Sequence, residues 1–271
     1  MAGSHLSWSM PELELSGLPR ANVLGVGIHA IDMEETIRRS NLVIDGGRKG
    51  YVCVTGVHGI MEAQSDPALR DILNRAYLCV PDGMPTVWVG KLQGHHDMRR
   101  VYGPDYMIEM CRRSLRQDYR HFFYGGTPGI AGKLKMKLES RMPWLKVVGT
   151  YTPPFGPLSS EQEHELVAMV ARQKPDIIWV GLSTPKQERF MAQYLERLDV
   201  KLMVGVGAAF DLHAGLRSDA PTWMKQCGLQ WLHRLHQEPR RLGPRYLKHN
   251  PRFVWEICGQ LAGWKGFALE M

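Results

Sequence analysis

The chain has 271 residues, 44% of them hydrophobic and 23% charged, and a formal net charge of +7. This composition supplies a real core and excludes a disordered chain, and no run approaches the ~18 apolar residues that a membrane-spanning helix needs. Five cysteines without a C-x-x-C pair exclude a disulfide scaffold and fit a reducing compartment, while the positive balance points to an anionic partner: nucleic acid, anionic lipid or a phosphorylated substrate.

Residues 1–20 carry Glu12 and Glu14 and no apolar signal segment, and read as a poorly ordered lead-in. A strand is predicted over Asn22–Val26, and Asp32 is placed to cap a helix over Met33–Ser40. Gly46-Gly47 then turns the chain into Tyr51–Thr55, the first of six short apolar runs. The others are Tyr77–Asp82, His121–Gly126, Lys146–Tyr151, Asp176–Ser183 and Lys201–Gly207. Each is too short for a core helix and rich in β-branched, leucine or aromatic residues, and each leads into a segment of helical period. The intervening helices are predicted over Gly59–Asn74, Pro85–Leu92, Gly103–Arg116, Ile130–Arg141, from Ser159 or Ser160 onward, and over Lys186–Arg197. This alternation is the signature of a parallel α/β sheet, whose ligands sit in the crevice beyond the strand C-terminal ends. Thr55, Asp82, Gly125, Tyr151, Thr184, Gln187 and Asp211 fall at those ends.

The character changes near Arg217. From there on, nine Lys and Arg stand against four acids, which accounts for five of the seven net charges, and four of the eight Trp lie in the same stretch. In Pro221–Lys248, Trp223, Met224, Trp231, Leu232 and Leu235 interleave with Lys225, Arg234, Arg240 and Arg241. A basic, Trp-rich helical segment of this kind lies on anionic membrane surfaces or packs on a core with a solvated basic face. No nucleic-acid motif accompanies the charge, so nucleic acid is not an expected partner. The domain reading is therefore a parallel α/β unit over 21–216 and a helical appendage over 217–271.

Asp82 is the strongest candidate for chemistry. A carboxylate at a strand end, between Pro81 and Gly83, is aimed into the crevice and can take a proton from a substrate hydroxyl. The competing role is an N-cap for the following helix. Ser183-Thr184-Pro185-Lys186-Gln187-Glu188 meets a helix N-terminus, where free N–H groups and Lys186 suit a phosphate; a plain Thr cap with Glu188 is the alternative. Gly205-Val206-Gly207 followed by Asp211 is a close backbone turn with either a phosphate-approach or a packing role. Gly25-Val26-Gly27-Ile28-His29-Ala30 satisfies G-x-G-x-x-A, but the extended run to Asp32 leaves no helix start after Gly27, so strand-turn glycines explain it. There is no D-x-D and no H-E-x-x-H, and His233 and His236 lack a third ligand. No bound metal and no cofactor are expected.

The motifs in their joint order resemble the WecG/TagA/CpsF family of bacterial glycosyltransferases, over roughly Asn22–Leu247. The carriers are Pro81-Asp82-Gly83-Met84-Pro85, Arg100-Val101-Tyr102-Gly103-Pro104-Asp105, Phe122-Phe123-Tyr124-Gly125-Gly126 and Gly149-Thr150-Tyr151-Thr152-Pro153-Pro154-Phe155. They continue with Val180-Gly181-Leu182-Ser183-Thr184-Pro185-Lys186-Gln187-Glu188, Gly205-Val206-Gly207-Ala208-Ala209-Phe210-Asp211, Ala220-Pro221-Thr222-Trp223-Met224 and Glu238-Pro239-Arg240-Arg241-Leu242. The resemblance implies a Rossmann-like fold and an inverting, metal-independent transfer of a sugar from a UDP-sugar to a polyprenyl-diphosphate-linked saccharide. The enzyme would sit peripherally on the cytoplasmic face of the cell membrane and serve an exopolysaccharide, capsule or similar surface polymer.

It implies Asp82 as the base, with Thr55, Arg100 and Gln187 in the catalytic site. His58, Gly126, Tyr151, Thr184, Lys186, Gly207 and Asp211 are expected to bind substrate. A membrane-associated appendage would bring Arg234, Arg241 and Arg245 toward the diphosphate. Exposed apolar surface on that appendage also allows a homo-oligomer. The chain departs from the family pattern twice. Val57 and His58 follow Thr55-Gly56 where many members carry Thr-x-Asn, and Pro244-Arg245-Tyr246-Leu247 keeps one Arg where members often have two. The competing readings are a nicotinamide-dependent oxidoreductase resting on Gly25–Ala30 and a non-catalytic nucleotide-binding protein at a membrane.

Overall fold

Leu24 and Gly25 both take positive φ (54° and 79°), and this turn divides the strand expected over Asn22–Val26 into a hairpin. The hairpin pairs β1 (Arg20–Val23) with β2 (Val26–His29) antiparallel and stands apart from the main sheet. Because Gly25 and Gly27 belong to this hairpin, they open no helix after a parallel strand, as a dinucleotide fingerprint would require. The computed structural model describes residues 17–269, and the rest of the expected lead-in, residues 1–16, lies outside them.

Asp32 caps α1 (Met33–Asp45), its carboxylate accepting from Glu35 N at 2.9 Å. β3 (Gly50–Thr55) follows. The single helix expected over Gly59–Asn74 is two, α2 (Val57–Ala63) and α3 (Pro67–Asn74), because Asp66 caps a new start with Pro67 in the first turn. β4 (Leu78–Pro81), α4 (Met84–Leu92), α5 (Gly103–Gln117), β5 (Arg120–Gly125), α6 (Ile130–Arg141) and β6 (Lys146–Tyr151) come next. α7 (Ser160–Gln173) opens on a capping box from Ser159 and Gln162. β7 (Ile177–Gly181), α8 (Lys186–Tyr194), β8 (Leu202–Gly205) and α9 (Ala209–His213) complete the α/β unit.

The six strands β3 to β8 form one parallel sheet in the order β4-β3-β8-β7-β5-β6. Their side chains alternate between two cores, as a period of two dictates. Cys53, Cys79, Phe122, Tyr124, Ile178 and Met203 pack on one face, with the hairpin, α2, α3 and α8. Val52, Val80, Phe123, Trp179 and Val204 pack on the other, with α1, α5, α6 and α9. The sheet is thus covered on both faces and roughly Rossmann-like, and the C-terminal ends of β3, β4, β7 and β8 meet at one crevice.

The tail consists of α10 (Thr222–Gln226), α11 (Gln230–Gln237) and the long α12 (Pro239–Leu261), which contains Pro244 and Pro251. α12 packs along α2 and buries Phe253 and Ile257 in the first core. Near its end, Gln260 donates to Asn22 O at 2.8 Å and accepts from Leu24 N at 2.9 Å, tying the tail to the hairpin. Among the described residues no helix is long and apolar enough to cross a membrane.

Candidate active site

The crevice at the strand ends is roofed by the tail, and between them lies a cavity of about 620 Å³. The backbone that presents Asp82 is held from both sides. Asp82 N donates to Thr55 O at 3.0 Å, and Val101 N donates to Pro81 O at 2.8 Å. Gly83 is the N-cap of α4 and makes no side-chain capping bond, so the capping role considered for Asp82 is not taken up. The carboxylate lines the cavity, and Oδ1 accepts a long hydrogen bond from Gly103 N at 3.4 Å. Burial raises its pKa, while the Arg100 and Arg234 guanidinium groups pull it back down. A carboxylate with few donors and a raised pKa is a stronger base than one saturated with backbone N–H groups.

Arg100 is fixed by three contacts. Its Nε donates to the Asp82 carbonyl, a terminal nitrogen donates to Gln230 Oε1, and its guanidinium lies 4.3 Å from the centre of the Tyr102 ring. Tyr102 in turn donates to Asp219 at 3.0 Å, and Lys225 pairs with the other Asp219 oxygen at 2.8 Å. One network therefore runs from the strand end carrying Asp82 into the tail.

Gln187 joins two loops. Its side-chain oxygen accepts from Gly207 N at 3.0 Å, and its amide donates to Glu188 Oε1 at 3.0 Å. Thr184 Oγ1 donates to the same Glu188 oxygen at 2.8 Å. Burial raises the Glu188 pKa, and the hydrogen bonds from its own backbone, Thr184 and Gln187 oppose that rise. The turn after β8 needs its glycines. A Cβ at Gly205 would sit 3.0 Å from the Gln187 amide nitrogen, and Gly207 takes a φ of +51°.

The tail side of the cavity is differently built. Arg234 and Arg245 both line it, and among the described residues neither has an ion-pair partner within 4 Å. Burial, and then the nearby Arg241, lower the Arg245 pKa. Arg217 and Arg241 are by contrast satisfied. Arg217 reaches Asp211 at 3.0 Å and Glu238 at 2.5 Å, and Arg241 pairs with Glu238. His58 lines the same wall, with its pKa lowered to about 3 by burial and then by Arg245.

Of the residues expected to form the site, Asp82, Arg100, Gln187, His58, Thr184, Gly207, Arg234 and Arg245 line one cavity. Six others do not. Thr55 lies beneath it, accepting from Cys79 Sγ at 3.4 Å while its carbonyl holds Asp82 N. Gly126 donates its N–H to Gly181 O, and Tyr151 stacks on Tyr124 with ring centres 5.7 Å apart. Lys186 is exposed, Asp211 is engaged with Arg217, and Arg241 lies off the cavity lining, paired with Glu238. Tyr102, Asp219, Lys225, Gln230 and His249 also line the cavity and were not expected there. Tyr102 stood inside a quoted motif and was legible. Lys225 was read as part of the basic, Trp-rich segment and Asp219 only as one of its acids, and nothing in the sequence singled out Gln230.

Comparison with known proteins gives two results. The glycosyl transferase WecG/TagA/CpsF family matches residues 21–266. An N-acetylglucosaminyldiphosphoundecaprenol N-acetyl-beta-D-mannosaminyltransferase of Bacillus subtilis is 30% identical over 172 residues, 63% of this chain and 65% of the relative, so that the matched span is under two thirds of that protein. The protein of the same name from Bacillus spizizenii is 26% identical over 230 residues, 84% of this chain and 87% of the relative.

Proposed function

The chain belongs to the glycosyl transferase WecG/TagA/CpsF family, and from that premise we propose that it moves a sugar from a UDP-sugar to a polyprenyl-diphosphate-linked saccharide, by an inverting mechanism that needs no metal for the chemical step. The observation that carries this reading is a carboxylate and two unpaired arginines on opposite walls of one cavity: Asp82 from the sheet, Arg234 and Arg245 from the tail. In the reaction, an acceptor hydroxyl oxygen attacks the anomeric carbon from the face opposite the leaving group. Its proton passes to the Asp82 carboxylate. The bond from the anomeric carbon to the diphosphate oxygen breaks, and UDP departs with that electron pair. The extra negative charge on the diphosphate is met by the two arginines, whose planar forks suit phosphate oxygens. Gln187 and Arg100 hold the loops that frame this space.

The relatives' names specify N-acetylmannosamine as the sugar moved and a GlcNAc-diphosphoundecaprenol as acceptor. For this chain we infer a hexosyl or N-acetylhexosaminyl donor of the same general kind, with Val57 and His58 at the wall that meets the sugars.

The tail supports a membrane-surface reading, on the cytoplasmic face where the UDP-sugar is made. Trp223, Leu247, Val254, Trp255 and Trp264 are exposed large apolar side chains, and exposed Arg240, Lys248 and Arg252 stand among them. The oxidoreductase reading loses its motif to the hairpin turn. The non-catalytic reading is settled by turnover. Purified protein is mixed with UDP-sugars and a GlcNAc-diphospho-polyprenol in anionic vesicles. Release of UDP with a product of inverted anomeric configuration is expected. Nucleotide binding without product from any hexose or N-acetylhexosamine donor would refute the reading.

A further inference from the structure

Three side chains at the join between α2 and α12, two of them the cavity-lining His58 and His249, form a cluster that the transfer chemistry does not account for. His58 and Glu62 sit one helical turn apart on α2, and His249 faces them from α12. Glu62 Oε1 lies 3.3 Å from His249 Nε2 and 3.7 Å from His58 Nδ1, and one ligand atom from each residue falls within 4.8 Å of the other two. The imidazole rings are 5.4 Å apart at 61°, edge to face. No well-formed hydrogen bond reaches either ring nitrogen of His58, although the Thr184 backbone lies close to the ring, and Nδ1 of His249 has none; all three atoms are buried. Buried polar atoms without partners are rare and call for an occupant.

We propose that His58, Glu62 and His249 form a zinc-class divalent cation site that pins the tail helix α12 to α2 at the wall of the cavity. The donor set fits that class. Ligand atoms around a tetrahedral zinc stand about 3.3 Å apart, given bonds of about 2.0–2.2 Å to imidazole nitrogen and carboxylate oxygen. The Glu62 distances need little more than small rotations of two rings. Two imidazoles select zinc, copper or nickel over magnesium and calcium, which prefer oxygen. The charges around the site oppose a cation in part: Arg245 faces His58, Lys248 and Arg252 flank His249, and Arg234 is farther along the wall. Glu62 supplies the compensating charge, and Arg252 is 3.8 Å from Glu256.

The site goes beyond the transferase reading. It has no contact with Asp82, and its expected effect is on how firmly the tail closes over the cavity. The test uses the full chain, freed of metal by chelator dialysis and titrated with Zn²⁺ by calorimetry, alongside Glu62→Gln and His249→Ala. Hydrogen exchange of α12 is followed with and without Zn²⁺. The expected result is saturable binding of one Zn²⁺ per chain, lost in both variants, with exchange of α12 slowed by Zn²⁺ in the parent only. No saturable Zn²⁺ binding by the parent overturns the proposal, whether or not the variants fold. Binding that survives undiminished in folded Glu62→Gln and His249→Ala overturns it as well, by placing the ion elsewhere. Neither readout depends on sugar transfer, so failure here leaves the transferase reading standing.

Discussion

The two walls of the cavity are built on opposite principles. On the sheet side most framing polar groups are engaged: Gln187 bridges Glu188 and Gly207, and the Asp82 backbone is pinned by Thr55 and Arg100, while Glu188 Oε2 is buried without a partner. On the tail side, Arg234 and Arg245 have no ion-pair partner within 4 Å among the described residues, and buried Nδ1 of His249 has no hydrogen bond. The first wall is a fixed frame that keeps one carboxylate in place. The second is unspent binding capacity, and it is carried by the more exposed part of the molecule. Preorganised geometry and available charge are thereby assigned to different elements, which meet only when α12 is docked.

This division can be probed from each wall. The largest of these effects is expected from the tail side. Losing both charge-assisted contacts in Arg234→Ala with Arg245→Ala should weaken UDP binding about 10²–10⁴-fold, at about 1.5–3 kcal/mol for each charged hydrogen bond. Calorimetry on the double variant reads this directly. Unchanged affinity would place the diphosphate elsewhere. On the same wall, Trp255→Ala with Trp264→Ala should reduce partitioning into anionic vesicles by roughly tenfold or more, because two large apolar groups are lost from the interface. Equal sedimentation with vesicles would deny those side chains a membrane role.

A smaller effect links the walls. Under the proposed mechanism the transfer needs ionised Asp82, so activity should fall as pH drops through its pKa, which burial places above the usual carboxylate value. Arg234 lowers that pKa, so Arg234→Ala should move the acid limb of kcat/KM to higher pH. A limb that stays in place would mean the arginine does not act on this carboxylate. The smallest effect is on stability. With the folded pKa raised, the folded protein binds the proton more tightly than the unfolded chain. Stability therefore declines as pH rises from the ordinary carboxylate value to the raised one, and it stays lower above that. Asp82→Asn should then melt slightly higher than the parent at neutral pH, by thermal denaturation, and a clearly lower Tm would mean that the carboxylate holds the fold together.

The sheet was open to reading because buried parallel strands advertise themselves. Val52, Phe123, Trp179 and Val204 sit in runs that only a covered strand tolerates, and the turn at their ends located Asp82, Gln187 and Gly207. The first strand was misjudged because a left-handed Leu24 gives no sequence signal, whereas the split of α2 from α3 was written in Asp66-Pro67. Tail contacts were least legible. Arg241 and Arg245 have the same chemistry and lie one helical turn apart. Only the position of Glu238, which captures Arg241, separates the one that faces the cavity from the one that does not. Likewise His249 joins His58 across 191 positions of sequence, a pairing that periodicity does not encode.

The central claim is that Asp82 acts as the base at a site whose affinity comes from elsewhere. The most direct measurement compares UDP affinity and single-turnover transfer for the parent and Asp82→Asn. The account predicts near-equal UDP affinity and a transfer rate lower by about 10²–10⁴-fold, the range for losing a positioned general base. Near-normal transfer by Asp82→Asn would contradict it outright. Loss of UDP affinity in step with the rate would reduce Asp82 to a residue that shapes the pocket.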